Sequence, residues 1–65
     1  MPDYDYPSAC LILTFAAEKA TKNTIRYQEE VADGERAVIG PLYIQKHALG
    51  HTPPATVIVT VDIRR

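Results

Sequence analysis

The chain has 65 residues, 46% of them hydrophobic, with seven basic and eight acidic side chains and a net charge of −1. One domain is all this length allows, and it excludes a large enclosed cleft, because so short a chain hides only about 60% of the surface its unfolded form exposes. The near-neutral charge excludes a general attraction to phosphate backbones, and no apolar stretch approaches the roughly 20 residues that cross a bilayer.

Cys10 is the only cysteine, so no intrachain disulfide forms, and a thin core is left to association or metal for support. A single cysteine without an export signal points to the cytoplasm. "ACLILTFAA" has the apolar character of a signal segment, but Asp3 and Asp5 precede it and the first basic residue is Lys19.

Residues 1–8, "MPDYDYPS", read as a flexible tail ahead of a single small β domain over 9–65. Tyr4 and Tyr6, set between carboxylates and prolines, also suit an extended peptide that adds to a partner's groove or sheet edge. "CLILTFAAE" places Leu11, Leu13, Phe15 and Ala17 on one face and predicts a strand, although "FAAEKATK" also has the composition of a helix. "ATKN" supplies turn residues, and "TIRYQEEV" then alternates Ile25, Tyr27 and Val31 with Arg26, Gln28 and Glu30. Asp33-Gly34 in "ADGE" predicts a hairpin through a type I′ turn. The third run, "RAVIGPLYIQKHAL", is broken by Gly40-Pro41, which predicts a bulge or an edge position because proline gives no N–H to a ladder. "GHTPP" reads as a loop with Gly50 as a left-handed cap. "TVIVTVDIRR" has clean period two, with Val57, Val59, Val61 and Ile63 on one face and Ile58 as the apolar exception on the other.

The expected fold is therefore all-β: a small four-stranded antiparallel meander, as a single sheet or small open barrel, which dimerisation would complete. The core face is expected to hold Leu11, Leu13, Phe15, Ile25, Tyr27, Leu42, Ile44, Val57, Val59, Val61 and Ile63. Ile12, Ile39, Tyr43 and Ile58 fall on the second face, and an apolar patch outside the core usually means a partner.

Several residue sets carry possible chemistry. His47 and His51 have metal-ligand spacing, but no third ligand lies near them in sequence, so no metal and no cofactor is expected. No cysteine, histidine and carboxylate spacing fits a nucleophile signature around Cys10, which reads as a small hydrophobe. Glu29, Glu30, Asp33 and Glu35 read as a solvated acidic turn rather than an acid/base pair. Lys22, Arg26, Lys46 and Arg64 would be the phosphate contacts of a small nucleic-acid binder, with Tyr27 or Tyr43 to stack on bases.

"GPLYIQKHALG" followed by "VIVTV" resembles, over less than half the chain, the strand, short turn and strand of swapped-hairpin transcription factors of the AbrB type. Those carry a proline before the basic residue of the turn where this chain has Gln45. The resemblance implies a DNA-binding regulator. The residues themselves favour a non-enzymatic protein-interaction module that associates with its own copy, Ile12, Ile39, Tyr43 and Ile58 carrying the contact together with the Gly40-Pro41 edge.

Overall fold

Alternation builds one face of this protein strand by strand. The computed structural model describes residues 9–64, and the expected tail over 1–8 lies outside them. Four strands form, β1 (Ala9–Ala20), β2 (Thr24–Glu29), β3 (Pro41–Gln45) and β4 (Thr56–Ile63), with one 3-10 turn at Lys46–Ala48 between the last two. They make a single antiparallel sheet curled into a half-barrel, so the expected all-β class is what forms, and the helical reading of "FAAEKATK" gives way to strand.

The strand order is β3-β2-β1-β4. The first three strands follow one another as a meander, but β4 crosses back to pair with β1 rather than with β3, which is the Greek-key order. The hairpin of β3 and β4 implied by the transcription-factor resemblance is absent, since these strands lie on opposite edges.

β1 serves two different neighbours along its length. Its first half, Ala9 to Ala16, pairs with β4, and its second half, Phe15 to Ala20, pairs with β2. The two ladders overlap only at Phe15 and Ala16, and the molecule is accordingly elongated, 45 × 27 × 15 Å. Register slips between Ala17, opposite Tyr27, and Lys19, opposite Arg26. Glu18 is the extra residue of this bulge, which changes the side on which the end of β1 presents its side chains.

The core is small. Phe15, Ile25 and Tyr27 are the buried hydrophobic residues, with Leu13, Leu42, Ile44, Leu49, Val57 and Val59 packed against them. Leu49 was not expected there. It belongs to the β3–β4 connection, which crosses the concave face from one sheet edge to the other and closes the core. Tyr27 holds that connection by donating its hydroxyl hydrogen to the Pro54 carbonyl at 2.8 Å. Backbone bonds pin both ends of the crossing: Lys46 N–H donates to Asn23 O at 2.8 Å and Ala17 N–H to Ala55 O at 2.7 Å. The stretch "LYIQKHALGHTPP" is thus strand, one tight turn and a loop, with Gly50 at φ +87° as the left-handed cap expected of it.

Residues 30–40 depart from expectation. They form an irregular loop where strand was expected on both sides of Asp33-Gly34. Gly34 takes φ +83° while Asp33 keeps a negative φ, and Glu35 N–H bonds back to Ala32 O at 3.0 Å. That combination fits a type II turn and not the type I′ turn expected.

Glu29 holds this loop in place. Its Oε1 accepts from the N–H groups of Val38, Ile39 and Gly40 at 3.0, 2.7 and 3.0 Å, and Oε2 also accepts from Val38 at 3.0 Å. Amides engaged by a side chain cannot join a ladder, so β3 begins only at Pro41.

Candidate interaction surface

Period two leaves the outer, convex face of the sheet to Cys10, Ile12, Thr14 and Ala16 of β1 and to Thr56, Ile58, Thr60 and Asp62 of β4. The register pairs Cys10 with Asp62, Ile12 with Thr60, Thr14 with Ile58 and Ala16 with Thr56. Ile12 and Ile58 are therefore diagonal neighbours, a separation that long side chains bridge. They are also the most exposed large hydrophobic residues described, 70% and 68% open to solvent.

The other two expected contact residues lie elsewhere. Tyr43 is on β3, at the opposite edge, three strand spacings or about 14 Å from Ile58 before any displacement along the strands. It pairs across the sheet with Arg26, whose guanidinium carbon stands 6.0 Å from the ring centre. Ile39 is not on a strand face at all; it sits in the loop held by Glu29. One patch of four becomes a pair of isoleucines and two separate residues. Alternation alone put Ile12 and Ile58 on the same side of the sheet, but their adjacency depends on the β1–β4 pairing, which the turns do not encode.

The two sheet edges differ in kind. β3 is five residues long, opens with Pro41 and runs directly into Lys46, so it offers little ladder to an incoming strand. β4 is eight residues long, with no proline, glycine or bulge and a single charged residue, Asp62, near its end.

The four expected basic residues do not form one patch. Lys22, in the β1–β2 turn, Lys46, and Arg26, near the start of β2, lie toward one end of the sheet. Arg64 follows Ile63, which pairs with Ala9 at the other end, roughly 36 Å away along the length of β1. Arg64 is paired with Asp62 at 3.0 Å. Arg26 Nε lies 3.1 Å from Glu18 Oε1, an ion pair whose angle is too bent for a hydrogen bond. Tyr27, expected as a stacking platform, is fully buried and unable to meet a base.

Acidic and nucleophilic groups give no reaction centre. Glu29 was expected in a solvated cluster but is only 5% exposed. The Gly40, Val38 and Ile39 N–H groups hold its carboxyl below the ordinary 4.5 against the opposing effect of burial. Its place was legible, because Ile25, Tyr27 and Glu29 share one parity on β2. Glu30, Asp33 and Glu35 are exposed, as expected. Cys10 is exposed on the convex face, not packed as a hydrophobe. His47 lies in the 3-10 turn and His51 in the following loop, both exposed. Among the described residues no group of three metal-ligating side chains gathers, no pocket forms, and no helix is long and apolar enough to cross a membrane.

What fold and surface define is a small Greek-key-ordered β sheet with an unprotected edge strand and an apolar pair beside it. No family model, no curated protein and no solved structure matches the chain.

Proposed function

We propose that this chain is a non-enzymatic β domain that works by binding protein, its own copy first. The observation that carries this reading is the pair Ile12 and Ile58, the two most exposed large hydrophobic residues among those described, diagonal neighbours on the convex face of the β1–β4 ladder. Adjacent apolar side chains on an uncovered face mark a contact surface more often than isolated ones do. The thin core adds support, since only three hydrophobic residues are buried among those described, and small cores are commonly supplemented by association. A reducing cytoplasm suits a chain whose one thiol is free and exposed.

The test is the mass of the native protein and of the variants Ile12→Glu and Ile58→Glu by sedimentation, with circular dichroism to check the fold. Wild type is expected to sediment above the 7.2 kDa of one chain, and both variants are expected to remain folded while losing that association. A monomeric wild type that nevertheless binds DNA or RNA, with an affinity falling steeply as salt rises, would replace this reading with the nucleic-acid one.

A further inference from the structure

We infer that β4 pairs antiparallel with β4 of a second copy about a two-fold axis at Val59, joining two four-stranded sheets into one of eight strands. This rests on the self-association reading and assigns its edge, register and partner.

An edge strand presents a row of unpaired N–H and C=O groups, and proteins blunt such edges with proline, lysine, bulges or short length. β3 carries several of these devices. β4 has none over Thr56–Val61, a run of β-branched residues without charge, and among the described residues no strand lies on its outer side. A long unguarded edge opposite a guarded one is what a strand reserved for pairing looks like.

The sequence of β4 is complementary to itself in one register. With the axis at Val59, residues 56–62 all find partners: Val59 faces its own copy, Val57 faces Val61, Ile58 faces Thr60 and Thr56 faces Asp62. Moving the axis one residue toward the amino terminus draws Pro54 against Asp62; moving it the other way sets Asp62 against Ile58. No like charges meet in the Val59 register, so nothing opposes it electrostatically. Ile58 and the partner's Ile58 become diagonal neighbours, and each already has Ile12 beside it. Four isoleucines then form one cluster on the convex face, and the valines of both copies continue the concave one.

Two variants of the full chain test the register. Thr60→Lys changes an exposed side chain on the convex face and places a charge opposite the partner's Ile58; its mass is expected to halve to that of one chain with an unchanged circular dichroism spectrum. Val59→Cys in a Cys10→Ser background brings two thiols together on the axis, where cross-strand Cα atoms stand about 4.5–5.5 Å apart and a disulfide forms readily. Mild oxidation is expected to give a covalent dimer. If wild type is a dimer but Thr60→Lys remains one and Val59→Cys does not cross-link, the β4 pairing is wrong while self-association stands. A wild type that is monomeric at its highest soluble concentration overturns both.

Discussion

The hydroxyl of Tyr27 offers a sharp test of how the core is closed. Tyr27→Phe leaves the buried ring in place and deletes one hydrogen bond, the 2.8 Å contact to Pro54 O that ties the crossing connection to the concave face. A buried hydrogen bond contributes about 0.5–1.5 kcal/mol net, more when its partner is stranded. Pro54 is exposed, so its carbonyl reaches water after a small shift of the loop, which sets the expected loss near 1 kcal/mol. At roughly 0.05–0.15 kcal/mol per residue the whole fold is worth about 3–10 kcal/mol. The substitution therefore removes a tenth to a third of it and should lower the melting temperature by about 4–8 °C. Thermal unfolding followed by circular dichroism reads the total. Hydrogen exchange reads the location: faster exchange is expected at Lys46, Leu49 and Ala17, whose N–H groups bond to or within the connection, with little change between β1 and β2. An unchanged melting temperature together with unchanged exchange at these three amides would refute the claim that this bond holds the crossing.

Other consequences are open to measurement. The Glu29 carboxyl titrates below 4.5 when folded, so its contribution is complete above its unfolded value and is lost as pH falls through the lowered folded one. Urea midpoints of the wild type should fall on acidification below pH 4.5, and Glu29→Gln, which keeps the shape but not the charge, should lack that acid-dependent step while being weaker at neutral pH. A variant with the same acid profile as wild type would show that the loop amides do not depend on the charge. Gly40 stands at φ +88° with nothing within 4 Å of the position a Cβ would take. Gly40→Ala is accordingly expected to cost about 1–2 kcal/mol from backbone strain alone, read as a lower urea midpoint.

Where a residue's place depends on its immediate neighbours, the sequence was informative. Period two identified β4 nearly to its ends and put Phe15, Ile25 and Tyr27 inside; Gly50 and Pro41 marked a cap and an edge because their backbones allow little else. Strand order was not legible. Short turns imply consecutive pairing, and nothing local to β4 reveals that β1 extends past β2 and offers a free flank. The loop over 30–40 departs from the strand pattern because strand-like composition in "RAVI" is outweighed by a carboxylate nine to eleven residues earlier, an interaction between side chain and backbone that has no periodic signature. Leu49 is not legible as a core residue because a lone apolar residue in a turn has no pattern to announce it. The contact surface suffered in the same way: Ile12 and Ile58 are 46 positions apart in sequence, and Tyr43 counts with them only if sheet position is ignored.

The order in which β1 finds its neighbours has kinetic weight. β2 reaches β1 across the three residues 21–23, whereas the pairing of Phe15 with Val57 closes a loop of about forty. Closing the longer loop costs more chain entropy before any contact is gained. β4 is thus the strand whose docking completes the fold, and its side chains contribute late. Substitutions such as Val61→Ala should speed unfolding and leave refolding nearly unchanged in stopped-flow chevrons, while Ile25→Val should slow refolding. Until β4 arrives, half of the longest strand has no neighbour along most of its length, and the time this takes sets how long the growing sheet is open to the wrong partner.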